Sequence, residues 1–398
     1  MRKVVVVGGG AAGFFAAIQC AMLHDDVQVT ILEKSPQLLY KVKISGGGRC
    51  NVTHACFDAR QLVKFYPRGE KQLIGPFTKF NPTHTFEWFA ARGVELKEEA
   101  DGRMFPTTDS SQTIIDCFLA EAARLRIDVR TQMGVEAILP QEQGGFLVET
   151  NRAETIKADA VIVTTGSAAR MWQILETLGH KVVPAVPSLF TFNIRDERIK
   201  DLMGLSVAQT QVKVLGTKLM ASGPLLITHW GMSGPAILRL SAWGARELAE
   251  RNHQFQITVN WTGEWTTAQV LDELKMFKQQ HPKKNIVGNP LFGLPRRLWE
   301  KLVLVEGCYA DASFKQLENM AQILSASVFE VKGKSTNKDE FVTAGGVHLN
   351  EVDFKTMQSK KVKGLYFAGE VLDIDAITGG FNFQAAWTTA YIAGQLLQ

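Results

Sequence analysis

Three glycines and one glutamate near the start of the chain have the types and spacing of a dinucleotide site. Gly8, Gly10 and Gly13 form a G-x-G-x-x-G motif, and Glu33 follows twenty residues after its last glycine. The first glycine permits a tight turn, the second lets the backbone approach a pyrophosphate, and the third lets a helix pack closely on a strand. A carboxylate in the position of Glu33 accepts hydrogen bonds from an adenosine ribose and disfavours a 2′-phosphate. These residues indicate a dinucleotide site without separating FAD from NAD.

The elements that must position this motif surround it in the sequence. Residues 4–7 are four valines, typical of a buried parallel strand, and Ala11–Leu23 is an apolar, Ala-rich helical run. Val27–Leu32 predicts a second strand that ends at Glu33. A glycine motif in this context is far more specific than an isolated one, which could belong to any buried β-α-β unit. The helix start would offer N–H groups and a partial positive charge to a pyrophosphate.

A second glycine-rich stretch lies at residues 41–53, with the sequence KVKISGGGRCNVT. Its three consecutive glycines let the backbone come close to a ligand. Ser45 and backbone N–H groups can bind phosphate oxygens, and Arg49 can add charge-assisted hydrogen bonds. Two phosphate-compatible glycine stretches within the first fifty residues argue against an incidental surface loop.

Together these motifs resemble the HI0933-like (YhiN/BaiN-like) flavoproteins, part of the wider two-dinucleotide-binding-domain flavoprotein group. The resemblance extends over nearly the whole chain and is most specific at residues 4–13, 41–53, 224–236 and 364–387. It implies FAD as the cofactor, with Glu33 on the adenosine ribose and residues 41–51 running along the pyrophosphate towards the isoalloxazine. His54 departs from the family, many of whose members have Asn there.

Two later stretches complete the cofactor site that the resemblance implies. Residues 158–166 predict a buried strand that ends in a Thr-Thr-Gly turn, and residues 364–370 predict a strand that ends in glycine and acid. A helix expected over 385–397 would direct its N-terminus at the pyrimidine edge of the flavin. The residues expected to contact FAD are Gly8, Gly10, Ala11, Ala12, Gly13, Glu33, Lys34, Lys41, Ser45, Gly46, Gly47, Gly48, Arg49, Cys50, Asn51, Val135, Thr165, Gly166, Gly369, Glu370, Asp373, Gly380, Phe381, Asn382 and Gln384.

No residue is assigned as a general acid or base from the sequence. Five residues separate Cys50 from Cys56, whereas flavin disulfide reductases have four between their redox cysteines, so Cys50 is expected to be a packing or flavin-side residue. His229 lies in the family-like run T-H-W-G-M-S-G-P, and a histidine of this kind more often satisfies structural hydrogen bonds. The weak candidates for catalysis are Arg49, Cys50, His229 and Asn382.

The fold class predicted is α/β, with a Rossmann-type FAD-binding domain built from both chain ends, 1–186 and 344–398. Pro184 and Pro187 mark the start of an inserted substrate or cap domain, 187–343. Within it, Ser206–Val214 and Gln254–Asn260 alternate with period two and predict an antiparallel, barrel-like sheet. Amphipathic runs at 266–280 and 314–324 predict a helical lobe at about 266–328.

Three further local expectations concern the FAD-binding domain. Residues 77–93 are expected to form one helix, and a short strand is expected to follow it up to Lys97. Val342–Val347 is interpreted as a glycine hinge. The meander predicted at 135–138 and 146–150 places the backbone of Val135 near the adenine in similar flavoproteins.

The amino-acid composition of the chain limits the kinds of protein it can be. The 398 residues are 45% hydrophobic and 21% charged, with a net charge of +4, which is typical of a globular protein with dispersed charge. No apolar run reaches the ~18 residues of a membrane span, and the five cysteines have no disulfide framework. We therefore expect a cytoplasmic protein with no metal site and with neither a nucleic acid nor a membrane as partner. The oligomeric state is left open.

The leading hypothesis is an FAD-dependent oxidoreductase that acts on a small organic substrate at the flavin face, between the FAD domain and the insert. The absence of a second G-x-G-x-x-G motif favours an oxidase or dehydrogenase that its own substrate reduces. One alternative is an NAD(P)H-dependent reductase of conjugated ketones or double bonds, with NAD(P)H docking transiently. A second alternative is an FAD-binding protein that acts on a macromolecule such as tRNA, which would require a basic, aromatic-lined surface.

Overall fold

A computed structural model describes residues 1–335 and 342–396 of the chain. Contacts between residues divide the chain into two compact units. Unit 1 consists of Met1–Val186 with Lys338–Gln398, and unit 2 consists of Pro187–Asn337. Each unit is described by itself below.

The strands of the described residues follow one another in the order β1 (Arg2–Val7), β2 (Val27–Leu32), β3 (Thr53–His54), β4 (Leu96–Glu98), β5 (Arg103–Pro106), β6 (Asp128–Arg130), β7 (Val135–Pro140), β8 (Phe146–Thr150), β9 (Thr155–Ala158), β10 (Ala160–Val163), β11 (Val182–Ser188), β12 (Thr191–Asn193), β13 (Ser206–Val214), β14 (Met220–Ile227), β15 (Gly231–Ser233), β16 (Gln254–Asn260), β17 (Ser327–Lys332), β18 (Lys334–Ser335), β19 (Val342–Val347), β20 (Val352–Asp353), β21 (Gln358–Ser359) and β22 (Leu365–Phe367).

The α-helices are α1 (Ala11–Leu23), α2 (Tyr40–Gly48), α3 (Ala59–Leu62), α4 (Glu70–Lys79), α5 (Pro82–Ala90), α6 (Ser111–Arg124), α7 (Ala169–Thr177), α8 (Pro235–Trp243), α9 (Ala245–Glu250), α10 (Thr267–Gln280), α11 (Arg296–Leu302), α12 (Phe314–Ala326) and α13 (Phe381–Ala393). None of the helices within the described ranges has the length and apolar character needed to cross a membrane.

Unit 1 is built on a seven-stranded sheet with the order β20-β21-β22-β10-β1-β2-β6. The five strands from β22 to β6 are parallel, and β1 lies between β10 and β2. The valines of β1 are at most 3% exposed, which is why this strand is an uninterrupted β-branched run. The predicted α/β fold of Rossmann type is confirmed, and the carboxyl ends of the parallel strands lie along one edge.

Aromatic packing joins the two chain ends of unit 1. Helix α1, from the N-terminal segment, packs against α13, from the C-terminal segment. The ring of Phe15 lies 4.7 Å from that of Trp88 and 5.6 Å from that of Trp387, measured between centroids. Phe118 lies 5.5 Å from Trp387 in the same cluster. Because these side chains are buried, the apolar face of α1 is fixed by residues more than 350 positions away in the chain.

Two glycines of the G-x-G-x-x-G motif lie where neighbouring backbone atoms of unit 1 leave no room for a side chain. A Cβ atom added at Gly13 would lie 1.9 Å from the carbonyl oxygen of Gly8, and one added at Gly8 would lie 2.8 Å from the carbonyl oxygen of Thr164. Gly8 also has a φ of +113°, which side chains other than glycine rarely adopt. The first and third glycines of the motif therefore serve the turn and the packing of α1 on β1.

Three local predictions for unit 1 are wrong. The single helix predicted over 77–93 is two helices, α4 and α5, because Asn81 caps the second one by accepting hydrogen bonds from the N–H groups of Thr83 and His84. Val342–Val347 is a strand paired with β11 rather than a hinge. Helix α13 begins at Phe381, four residues before the predicted start, and its predicted end at Leu397 lies outside the described residues.

Unit 2 is built on a seven-stranded antiparallel sheet with the order β17-β16-β13-β14-β15-β12-β18. The two end strands, β17 and β18, are separated in the chain by Gly333 alone. That glycine donates its N–H to His253 beside β16 and accepts from the N–H of Asn193 in β12, at 2.8 and 3.0 Å. A sheet whose edge strands are consecutive in sequence must curl, which gives unit 2 its barrel-like form.

The helical part of unit 2 covers a separate hydrophobic core. Helices α10 and α12 pack against each other, α12 also contacts β16 and β17, and α8 covers β14. The core includes the fully buried indoles of Trp261 and Trp299. Helices α10 and α12 begin with capping boxes built on Thr266 and Ser313, which satisfy N–H groups of the first turn and fix where each helix starts.

Candidate functional site

Four segments with the predicted cofactor residues leave the same edge of the sheet in unit 1. Gly8 follows β1, Glu33 follows β2, Thr164 follows β10 and Ala368 follows β22. In open α/β sheets, ligands bind outside the carboxyl ends of the strands, where neighbouring connections diverge. The connection after β1 leads into α1, and that after β10 leads into α7. The topology thus brings together segments that are more than 300 residues apart in sequence.

The carboxylate of Glu33 is held in a fixed orientation. One oxygen accepts a hydrogen bond from the N–H of Gly9 at 2.7 Å, and the other accepts from the N–H of Ser35 at 2.8 Å. The backbone carbonyl of Glu33 accepts from the N–H of Met133 at 2.8 Å, which brings the start of β7 at Val135 alongside. Each carboxylate oxygen retains a lone pair for a ribose hydroxyl.

The space in front of α1 fits a pyrophosphate. A Cβ atom added at Gly10 would meet no heavy atom within 4 Å, so the backbone is open to a ligand there. Helix α1 has no side-chain cap, which leaves the N–H groups of its first turn available. The hydroxyl of Thr165 is buried without a hydrogen-bond partner among the described residues. A diphosphate bound at this edge would fill the open space in front of Gly10. It would accept hydrogen bonds from the uncapped N–H groups of α1 and from the Thr165 hydroxyl.

Lys41 and Glu370 connect the two ends of the chain at this edge. The ammonium of Lys41 donates to the Oε2 atom of Glu370 at 2.5 Å, and a Cβ atom added at Gly166 would lie 3.6 Å from the same oxygen. Gly369 approaches α1 so closely that an added Cβ would lie 3.0 Å from the Cβ of Ala12. Asp373, also among the predicted cofactor residues, is buried, and its N–H donates to Val347.

The second glycine stretch is a helix that unwinds at its end. Helix α2 is interrupted at Ser45, and Gly46, Gly47 and Gly48 have φ values of +58°, +69° and +85°. The Ser45 hydroxyl donates to the carbonyl oxygen of Val42 at 3.0 Å. Added Cβ atoms at Gly47 and Gly48 would meet nothing within 4 Å, so this backbone is open to a ligand as well.

Asn51 connects that stretch to the start of α13. With its amide oriented to satisfy both partners, Asn51 accepts from the N–H of Gly380 and donates to the carbonyl oxygen of Thr53, both at 3.0 Å. The ring of Phe381, the first residue of α13, stacks on that of His54 with centroids 4.5 Å apart. Burial lowers the pKa of His54, which favours its neutral form. Gly380 leaves α13 without a side-chain cap, so its first N–H groups are also available.

Three predicted site residues use their side chains within the protein. Arg49 donates to Glu99 at 2.6 Å and lies 4.0 Å from the ring centroid of Phe105. The amide of Asn382 bonds to the backbone N–H and carbonyl of Ala376, at 2.9 and 3.2 Å. The carbonyl oxygen of the Gln384 side chain accepts from the Thr53 and Thr85 hydroxyls, and its amide group donates to Thr388. These contacts give all three residues structural roles next to the candidate site.

Two features of this region have no clear sequence signal. The guanidinium of Arg68 pairs with both carboxylate oxygens of Asp375, with the two side chains 9% and 0% exposed. The Thr164 hydroxyl lies 2.9 and 3.0 Å from the carbonyl oxygens of Val7 and Gly8, which fixes the turn after β1. Both depend on partners distant in sequence, so periodicity and motif spacing do not reveal them.

Cys50 is expected to be chemically inert. Its side chain is fully buried, and burial raises the pKa of its thiol to about 12. Since the thiolate is the nucleophile, the native protein should resist alkylation at Cys50 at neutral pH, and Cys50→Ala should keep its bound FAD. Peptide mapping after iodoacetamide treatment measures this. Cys56, which is only partly buried, is the internal control, and labelling of Cys50 as fast as Cys56 would contradict the assignment.

His229 belongs to unit 2. It occupies the turn between β14 and β15 and is exposed, as is its neighbour Trp230.

A family profile described as the HI0933-like protein Rossmann domain matches residues 2–396. The chain is 26% identical to a 3-dehydro-bile acid delta(4,6)-reductase of Clostridium scindens, an alignment that covers 99% of this chain and 98% of the relative. It is 28% identical to a ribosomal RNA dihydrouridine synthase of Escherichia coli, over 98% of this chain and 96% of the relative.

Among solved structures, the chain shares its fold with a 3-ketosteroid delta1-dehydrogenase from Sterolibacterium denitrificans. The TM-score is 0.52 at 10% sequence identity, with 99% of each chain covered. At this identity the likeness concerns the fold alone.

Proposed function

The chain belongs to the HI0933-like family and is an FAD-dependent oxidoreductase, and we propose that it reduces a carbon–carbon double bond conjugated to a carbonyl group. The observation that carries the proposal is the reaction common to its full-length relatives. A 3-dehydro-bile acid delta(4,6)-reductase acts on double bonds conjugated to a ketone, and a dihydrouridine synthase adds two hydrogens across the double bond of uracil. Both reactions add a hydride and a proton to an electron-poor alkene.

The chain's own residues supply binding and orientation for such chemistry. Glu33 would hold the adenosine ribose, and the uncapped start of α1 would hold the pyrophosphate. Lys41 and Glu370 are placed to position the middle of the cofactor. The uncapped start of α13 would favour the reduced, negatively charged flavin ring. Bound FAD, once reduced, would supply the hydride, and one proton from solvent would complete the saturation of the double bond.

For the substrate we favour a uracil base within RNA over a small enone. Unit 2 contains 18 Lys and Arg against 13 Asp and Glu, whereas unit 1 contains 26 against 27. The net positive charge of the chain is therefore carried by unit 2, which favours the approach of a polyanion such as RNA. The proposal departs from the expectation of no nucleic acid partner, which follows from the dispersed charge of the chain. A small ketosteroid-like enone is the second candidate, supported by the Clostridium scindens relative.

The electrons would come from a reduced nicotinamide cofactor that docks transiently. The experiment incubates FAD-saturated protein under anaerobic conditions with NADPH and with ribosomal RNA that lacks dihydrouridine, followed by mass spectrometry of the nucleosides. We expect dihydrouridine to form only when FAD is bound, and a Δ4-3-ketosteroid to remain unreduced in a parallel reaction. Reduction of the steroid alone would establish the second candidate, and reduction of neither would refute the proposal.

A further inference from the structure

An exposed hairpin in unit 2 has the chemistry of an RNA contact. Strands β14 and β15 are joined by residues 228–231, called here the Trp230 hairpin. The N–H of Thr228 donates to the carbonyl oxygen of Gly231 at 2.8 Å, so the turn is tight and has His229 and Trp230 at its tip. The Thr228 hydroxyl accepts from the N–H of Trp230 at 3.3 Å, which further orders the turn.

The tryptophan at this tip is unusually exposed. The side chain of Trp230 is 65% exposed, the highest value of any aromatic residue that the structure describes, and no ring or cation packs on it among those residues. Because an ordered turn holds the indole in solvent, its ring is available for an aromatic ring of another molecule to stack on. The turn itself is anchored, because Gly231 has a φ of +147° and an added Cβ would lie 2.3 Å from the carbonyl oxygen of Phe192.

An arginine, Arg195, follows the strand that pairs with the hairpin. The N–H of Ile194 donates to the carbonyl oxygen of Trp230 at 2.9 Å, so Arg195 is the residue that directly follows the contact with the hairpin. Within the described part of the chain, the Arg195 guanidinium has no acidic partner in salt-bridge distance. The neighbouring acids are already neutralised, since Asp196 pairs with Arg198 at 2.7 Å and Glu197 pairs with Lys200 at 3.2 Å.

We propose that the Trp230 hairpin binds RNA, with the indole stacked on an unpaired base and the Arg195 guanidinium on an adjacent phosphate. Stacking of bases on exposed aromatic rings and pairing of phosphates with arginine are the two interactions by which proteins hold single-stranded RNA. The positive excess of unit 2 supplies the wider attraction. The inference deepens the proposed function by naming the surface that presents the RNA.

The test measures binding of a short, labelled oligouridylate to the FAD-saturated protein by fluorescence anisotropy. Trp230→Ala should weaken binding about tenfold, the loss typical of one base–aromatic stack. Trp230→Phe should restore most of the affinity, because the ring is kept. Trp243→Ala is the matched control, since Trp243 is also exposed, at 43%, but lies at the end of α8. Arg195→Gln should reduce the slope of log affinity against log salt by about one.

Melting temperature and FAD content of each variant establish that the fold is intact, as the exposure of Trp230 predicts. Equal losses in Trp230→Ala and Trp243→Ala, or a wild-type protein that does not bind the oligouridylate, would overturn the inference. If the proposed function is wrong but the hairpin does bind RNA, the oligouridylate will bind in a way that depends on Trp230, and no dihydrouridine will form.

Discussion

Replacing Gly10 by valine should give a folded protein that purifies without flavin. The backbone of Gly10 has a φ of −92°, which valine adopts without strain, and an added Cβ would meet no protein atom within 4 Å. The two methyl groups would instead occupy the space in which the pyrophosphate approaches the start of α1. We expect the FAD content, read from the visible spectrum, to fall at least tenfold while the circular dichroism stays unchanged.

The matched control for this substitution is Gly75→Val. Gly75 is an exposed glycine in α4 whose added Cβ would also meet no atom within 4 Å, and it lies outside the candidate site. This variant should keep its FAD. A Gly10→Val protein with full flavin occupancy would show that the cofactor does not lie against this turn.

The buried ion pair of unit 1 should have a large effect on stability. Arg68→Met removes the guanidinium that pairs with the completely buried carboxylate of Asp375, and loss of one partner from a buried ion pair is strongly destabilising. We expect the free energy of unfolding to fall by about 3–5 kcal/mol. Urea denaturation at saturating FAD measures the change without a contribution from altered cofactor occupancy.

Two comparisons make this prediction specific. Arg296→Ala breaks the pair with Glu300 in α11, where the side chains are 70% and 38% exposed, and it should cost less than about 0.5 kcal/mol. The double variant Arg68→Met with Asp375→Leu should recover part of the stability, because no unpaired charge is then buried. If Arg68→Met cost no more than Arg296→Ala, the pair would contribute nothing to the fold.

The parts of the fold that sequence could predict are those with local causes. The glycine turn after β1 and the start of α1 follow from residue types within thirteen positions of the N-terminus. The strands Ser206–Val214 and Gln254–Asn260 agree with their predicted bounds because one side of each strand is buried and the other is exposed. Where buried and exposed residues alternate along a strand, the two-residue period of hydrophobic residues in the sequence is enough to predict that strand.

The parts that could not be predicted depend on distant partners. Residues 41–51 show glycines that a ligand could approach, but only the fold reveals that Arg49 is held by Glu99 and stacked on Phe105. Gln384 is likewise predicted as a flavin-side amide, and only the fold reveals that its oxygen accepts hydrogen bonds from the hydroxyls of Thr53 and Thr85. Helix α13 begins before its predicted start because Gly379 and Gly380 are typical of a loop. In the fold, the hydrogen bond from the N–H of Gly380 to Asn51 orders the residue just before the helix.

The distribution of charge between the two units also becomes visible only from the fold. The net charge of +4, dispersed over 398 residues, favours no nucleic acid partner, whereas the proposal of an RNA substrate uses the net positive charge that unit 2 carries. Likewise, the sequence draws attention to His229 as a candidate base, whereas the hairpin exposes Trp230 more than any other aromatic side chain that the structure describes.

The most direct measurement of the central claim is an anaerobic absorbance trace of the flavin. The FAD of the purified protein is first photoreduced with EDTA as the electron donor, which avoids any dependence on a nicotinamide, and is then mixed with ribosomal RNA that lacks dihydrouridine. Our account predicts that the oxidised flavin spectrum returns and that one dihydrouridine forms for each flavin oxidised. A flavin that stays reduced in the presence of this RNA and of a conjugated ketone, yet is reoxidised when air is admitted, would contradict it.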